Sequence, residues 1–322
     1  RREFLGTMVM AGVLPGQQPS ADWRDQGILH LERSPHARLK NVPVRAFAMA
    51  EGFWTSRRKV NVERSIPTLL DLLEQHGVVD NFRRLSGRKQ VPRRGPLYTD
   101  SDIYKWMEAV AFVLQSGDHP QLRATFDRLT EEILAAQEPA GYLNTYYVEE
   151  RKNLRFKEMH RGHELYCLGH LLQAAIAYYR ATGGRRLLEG GIKFVNYLAD
   201  NFGPTKDPLL AGHPWLEMAL VELYRITGDR RHLELAGYLL QGDGERLKLS
   251  PAQMVYLFSG KPFTSRTRLE GHAVRAMYAC CGATDYYIET GQADYARALE
   301  TLWQDLVRGK MYITGGVGSR AQ

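Results

Sequence analysis

The 322-residue chain has little cysteine: Cys167, Cys280 and Cys281 are all there is. An odd, low count supplies no disulfide framework. Cys280 and Cys281 are neighbours, so pairing them would need a strained vicinal bridge. The expectation is that both are reduced and packed as small hydrophobes within a helix. No window approaches the ~20 apolar residues of a membrane-spanning helix. There is no long tract of one charge sign either. The formal net charge is +7, but it is spread over short clusters at Arg57-Arg58-Lys59, Arg83-Arg84 and Arg88 to Arg94, with acids interleaved elsewhere. That pattern reads as solvated surface and argues against nucleic-acid binding. What remains is ordinary globular composition, 44% hydrophobic and 25% charged, in a chain long enough to bury a large core.

The first residues, Arg1-Arg2-Glu3-Phe4-Leu5-Gly6 and the short apolar run Thr7 to Leu14, are similar to a bacterial twin-arginine export signal. They predict export to the periplasm or the exterior. Arg1 stands where an initiating Met is absent, so sequence is expected upstream. The division that follows is 1–20 as an export-signal remnant, 21–50 as an extended lead-in, and 51–322 as a helical domain.

From Gly52 onward the apolar spacing is helical. Val60, Ile66, Leu69, Leu70 and Leu73 form one stripe, ended by His76-Gly77. Asp100-Ser101-Asp102 offers N-cap side chains for a helix through Trp106, Val110 and Val113. Leu122 to Leu134 returns. Further helices are expected over 164–181, 187–201, 215–226, 232–240, 272–289 and 295–307. Three of them end in Thr-Gly: Thr182-Gly183, Thr227-Gly228 and Thr290-Gly291. Glycine there adopts the left-handed conformation that stops a helix, and such short links make antiparallel hairpins. Helices apolar nearly all round, such as 164–181, alternate with amphipathic partners. Buried inner helices paired with amphipathic outer ones describe an all-α toroid. A closed six-hairpin toroid needs twelve helices and about nine are readable, so the toroid is expected to be incomplete. Two stretches break the pattern: the aromatic turn Glu138 to Tyr147, and a long insertion over 242–267.

Three histidines share one address. Gly162-His163, Gly212-His213 and Gly271-His272 each open an apolar inner helix. The arrangement predicts a pocket at one mouth of the array, with His163, His213 and His272 donating to sugar hydroxyls or positioning a catalytic group. Tyr142 and Tyr146 are candidates for stacking aromatics at its rim. A tris-histidine metal site is the competing reading. Paired carboxylates are the usual machinery of glycoside hydrolysis. The candidates, Glu164, Glu217 and Glu270, form no convincing acid/nucleophile pair; Glu164 sits about 100° round the helix from His163.

Several segments resemble glycoside hydrolase family 127, the β-L-arabinofuranosidase family, and run in family order. They are Gly52-Phe53-Trp54, Asp100-Ser101-Asp102 with Lys105 to Ala109, Ala136-Gln137 with Gly141 to Tyr146, His163 to His170, Gly212-His213, Gly271 to Tyr278, and Lys310 to Ser319. The resemblance implies an (α/α)6 barrel followed by β-sandwich domains, and retaining hydrolysis of terminal β-L-arabinofuranosides of plant-type glycans. It implies a cysteine nucleophile held on zinc by further cysteines and a glutamate. Those residues and the glutamate acid/base follow the motif that ends at Ser319, so catalytic residues are expected beyond Gln322. Zinc is then a cofactor of the full-length protein, not bound by this chain, which alone should be inert. The sugar-contacting histidines map onto His163, His213 and His272. Pro214-Trp215 and the 242–267 insertion depart from the family pattern. The alternatives are a non-catalytic or degenerate carbohydrate-binding toroid, and an α/α-toroid epimerase or lyase. No oligomeric state follows from the pattern.

Overall fold

Three threonines set the period of the fold. The hydroxyls of Thr182, Thr227 and Thr290 donate to the carbonyls of Tyr178, Leu223 and Tyr286, one turn back. Each also accepts the N–H two residues on, from Gly184, Asp229 and Gln292. The glycine between, Gly183, Gly228 or Gly291, takes φ of 76°, 71° or 66° and closes its helix. One side chain thus finishes a helix and starts the link to the next.

The computed structural model describes residues 28–318. The twin-arginine-like segment, the first seven residues of the lead-in (21–27), and the end of the Gly-rich motif from Ser319 lie outside them. Twelve α-helices occur among the described residues, with no strand beyond one isolated bridge between Phe202 and Asp207. They are α1 (Phe53–Val60), α2 (Ile66–Gln75), α3 (Asp80–Leu85), α4 (Asp100–Gln115), α5 (Pro120–Leu134), α6 (Glu164–Thr182), α7 (Arg186–Asn201), α8 (Leu216–Thr227), α9 (Arg230–Gln241), α10 (Pro251–Leu257), α11 (Ala273–Thr290) and α12 (Ala293–Gly309). The three beyond expectation are α1, α3 and α10. A π turn over Asn61–Ser65 runs α1 into α2; α1 buries no residue, and Val60, its last residue, and Leu69 of the expected stripe are exposed, leaving Ile66 buried and Leu70 and Leu73 against the core. α10 is a short helix inside the insertion, started by a capping box of Ser250 and Gln253.

Inner helices α4, α6, α8 and α11 pack side by side, and α5, α7, α9 and α12 return outside them. This is the hairpin array of an all-α toroid. The inner helices bury both faces: in α6, Leu168, Leu172 and Ile176 are buried on one side and His170, Ala174 and Ala177 on the other. Each leucine or isoleucine withdrawn from water is worth about 1.5–3 kcal/mol before the entropic cost of ordering it. All four inner helices begin at the same end of the array.

Asp100 departs from its expected capping role. It is the first residue of α4, fully buried, and its carboxylate accepts from the Thr145 N–H at 2.7 Å and from the Thr145 hydroxyl. It ties the aromatic turn to the start of α4 instead.

The opposite end is closed by charge. Arg225 is 2% exposed as a side chain and pairs with Glu222, with Asp285 at 2.8 Å and with Glu289 at 2.6 Å. Arg180 completes the set through Glu222. These residues knit α6, α8 and α11 where they end. The lead-in lies across them: the Ser34 hydroxyl donates to Glu289 at 2.6 Å, the His36 N–H donates to the Ile288 carbonyl at 3.2 Å, and Arg180 donates to the Ile28 carbonyl.

Candidate functional site

The Gly-His dipeptides work by close approach. A Cβ at Gly162 would lie 2.8 Å from the Tyr147 hydroxyl, one at Gly212 1.8 Å from the Met159 carbonyl oxygen, and one at Gly271 2.0 Å from that of Val255. Only glycine lets each loop press against the neighbouring segment and hand the next residue, a histidine, to the start of an inner helix.

The three imidazoles meet. Ring centroids of His163 and His213 are 5.7 Å apart, and those of His213 and His272 are 5.8 Å apart. The row continues at both ends. Tyr98, just before α4, lies 5.3 Å from His163, and Tyr256, on α10, lies 5.9 Å from His272. The starts of four inner helices and the insertion therefore share one mouth. Beneath it, Tyr166 sits 4.5 Å from both His213 and His170. Tyr278 stands 4.0 Å from Trp215 and 5.8 Å from His213. Lys105 places its ammonium 5.1 Å over Tyr166.

The electrostatics keep the imidazoles neutral. Burial, reinforced by the charge of Arg275, lowers His213 to about 3. Burial also lowers His163 and His272. A neutral imidazole offers one donor and one acceptor. The Nδ1 atoms of His163 and His213 lie 3.0 and 3.4 Å from the carbonyls of Arg161 and Pro214, which suits a protonated Nδ1 in each and leaves Nε2 to accept. His272 is different: its Nδ1 accepts the Arg275 N–H at 3.5 Å and caps α11, leaving Nε2 to donate.

Other expected residues fall elsewhere. Tyr142 is buried, not at a rim; its hydroxyl donates to Glu164 at 2.6 Å and its ring packs on Phe156 and Phe194. Glu164 also accepts the Phe156 N–H at 2.9 Å, so this carboxylate anchors the loop before α6. Tyr146 makes no ring contact with the three imidazoles among the described residues; the guanidinium carbons of Arg93 and Arg151 lie 4.8 and 4.7 Å from its ring centroid. The aromatics beside the imidazoles are Tyr98, Tyr166, Tyr256 and Tyr278. Glu217 accepts the Trp215 N–H at 3.0 Å and serves its own helix start. Glu270 lies 3.8 Å from Lys261. Burial raises Glu164 and Glu217 to about 7.

Glu108 was not singled out in the sequence. It is half-buried, one turn after Lys105 on α4, and burial alone raises it to about 7. Its charge acts on Tyr278, across the space between α4 and α11. The available signal was its place in the Lys105 to Ala109 segment, a carboxylate three residues after a lysine among the apolar positions Trp106, Met107 and Val110.

A family model for the β-L-arabinofuranosidase GH127 catalytic domain matches residues 47–322. The chain belongs to this family. A non-reducing end β-L-arabinofuranosidase of Bifidobacterium longum subsp. longum is 30% identical over 310 residues, covering 83% of this chain and 47% of that protein. The crystal structure of a GH127 β-L-arabinofuranosidase from Geobacillus stearothermophilus T6 superposes with a TM-score of 0.80 at 32% identity, over 85% of this chain and 47% of that one. A second GH127 β-arabinofuranosidase structure gives 0.78 at 30% identity, over 86% and 45%. The GH127 chain described here thus spans about half the length of these relatives.

The zinc site implied by the GH127 resemblance finds no donor set among the described residues, which contain no group of three or more His, Cys, Asp or Glu disposed to hold a metal. The three cysteines are free and unclustered with such donors. Cys167 is buried in α6, whereas Cys281 is exposed, contrary to the expectation that the adjacent pair is packed. No helix among the described residues is long and apolar enough to cross a membrane.

Proposed function

We propose that this GH127 protein removes terminal β-L-arabinofuranosyl residues from plant-type glycans, with retention, and that the histidine mouth holds the sugar. The observation that carries this reading is the convergence of His163, His213 and His272, one from the start of each of three inner helices. A small sugar presents hydroxyls that both donate and accept, and neutral imidazoles answer both. Tyr98, Tyr166 and Tyr278 add apolar ring faces, as a sugar pocket requires. Glu108 sits in the same lumen with a pKa that suits proton transfer near neutrality. The nucleophile, the acid/base glutamate and the zinc belong, in this proposal, to sequence beyond Gln322; residues 28–318 contribute binding and orientation. Export by way of Arg1-Arg2 would bring the protein to polymeric glycans outside the cell.

The test is L-arabinose binding to the chain, followed through the imidazole NMR signals. Each of His163→Ala, His213→Ala and His272→Ala should weaken binding about tenfold, the worth of one direct hydrogen bond left unmade. His119→Ala, in the link between α4 and α5, should not. Absence of saturable binding, or equal loss in the His119 variant, would overturn the proposal.

A further inference from the structure

Arg275 lies in the first turn of α11 and has no acid. It is only 7% exposed, yet neither Nε nor Nη1 has a hydrogen-bond partner among the described residues. The acids of α11 and its surroundings do not serve it: Glu270 is engaged with Lys261, Asp285 and Glu289 with Arg225, and Asp305 with Lys310, and Glu108 in the same lumen acts on Tyr278 but not on Arg275. Other buried arginines behave differently. Arg225 and Arg180 hold carboxylates, and Arg266 donates to the Ser259 carbonyl at 3.2 Å.

Position makes this lone cation informative. Its guanidinium carbon stands 4.7 Å over the ring of Tyr256, which lies against His272 at the mouth. Among charged side chains it has the largest influence on each of His163, His213 and His272. The mouth therefore combines neutral imidazoles, one withdrawn guanidinium and no carboxylate paired with it. A buried cation with no paired acid, two unsatisfied N–H groups and only the Tyr256 side chain against it is costly, and an arriving anion recovers that cost. The planar fork of arginine matches the two oxygens of a carboxylate.

We propose that Arg275 makes the histidine mouth a carboxylate site. The carboxylate is borne either by a sugar, as in a uronate, or by another part of the polypeptide brought to the mouth. The sugar-borne case rests on the proposed function above; the carboxylate site itself does not.

The test is calorimetric binding to the 322-residue chain with two matched pairs, glucuronate against glucose and acetate against acetamide, and L-arabinose alongside. The acidic member of at least one pair should bind at least about tenfold more tightly, the scale of a charge-assisted hydrogen bond. Arg275→Met should erase that preference, and Arg275→Lys, which keeps charge but loses the fork, should retain part of it. A preference for glucuronate over acetate assigns the carboxylate to a sugar; equal binding of the two assigns it to the polypeptide. Either result supports the site. No preference for either acid in the wild-type chain, or a preference that survives Arg275→Met, overturns it. Should Arg275→Met fail to fold, the wild-type pairs and Arg275→Lys decide. L-arabinose binding without an acid preference sinks the carboxylate site alone; an acid preference without arabinose binding sinks the proposed arabinoside specificity and leaves the carboxylate site standing.

Discussion

His170 lies nearly flat against Trp215, with ring centroids 4.4 Å apart and planes 24° from parallel. The contact joins the second turn of α6 to the residue just before α8. Gly169 permits it, since a Cβ there would lie 2.3 Å from Trp215 Cδ1 and 3.2 Å from the Leu216 nitrogen. Gly169→Ala should displace the start of α8 and cost about 1–3 kcal/mol, the usual penalty of overpacking. Urea denaturation with tryptophan fluorescence measures both effects. An unchanged midpoint would mean the two helices are not held at this distance.

His170 should also sensitise the fold to acid. Both of its ring nitrogens are buried without partners among the described residues. Burial, with the charges of Lys105 and His213 adding to it, lowers its pKa to about 3. An unfolded imidazole titrates near ~6.5. The folded value is the lower one, so this stability is fully present above pH ~6.5 and drains as pH falls toward the folded value, at about 1.4 kcal/mol per unit. His170→Phe keeps a ring against Trp215 and removes the titration. Between pH 6.5 and 5, wild type should lose about 2 kcal/mol relative to the variant. A difference that does not change with pH counts against the assignment.

Arg225 should be the costliest single charge to remove. It is 2% exposed and holds Glu222, Asp285 and Glu289 together. Arg225→Met leaves Asp285 and Glu289 buried without their cation and Glu222 with Arg180 alone, and breaking a buried pair from one side costs about 3–5 kcal/mol. Thermal unfolding should show a loss that the exposed Arg186→Ala, which breaks only the surface pair with Glu131, does not. Equal melting of the two variants would show that the network contributes nothing to holding α6, α8 and α11.

The repeats were legible in the sequence because the same local physics recurs. Thr-Gly ends a helix by its own hydroxyl and a left-handed glycine. The helices it closes run within about two residues of the span expected. Gly-His was readable for a similar reason: it opens each inner helix, and the helices converge. Tyr142 misled because an aromatic in a turn-rich loop reads as surface, whereas its partner Glu164 lies 22 residues away. Arg275 and Glu108 were missed because what distinguishes them is the absence of a partner, which only the packed neighbours reveal. α10 has seven residues, too few for a helical period to show.

The cysteines in this chain should not serve as nucleophile. Only a thiolate attacks, and a free thiol titrates near ~8.5 unless a cation lowers it. Here the shifts run the other way: burial raises Cys280 to about 12 and raises Cys167, and Cys281, an exposed residue whose thiol is partly screened by its neighbours, is raised by that screening and by the Asp285 carboxylate. At neutral pH all three are thiols, and no donor set among the described residues would bring a metal to any of them. The 322-residue chain should therefore show no zinc-stimulated hydrolysis of an aryl β-L-arabinofuranoside, and iodoacetamide at pH 7 should label exposed Cys281 slowly and buried Cys167 least. Replacing all three by alanine should leave L-arabinose affinity where it was, because none lies among the imidazoles. Zinc-dependent turnover that one of these substitutions abolishes would place the chemistry inside this chain and defeat the assignment of the nucleophile to sequence beyond Gln322.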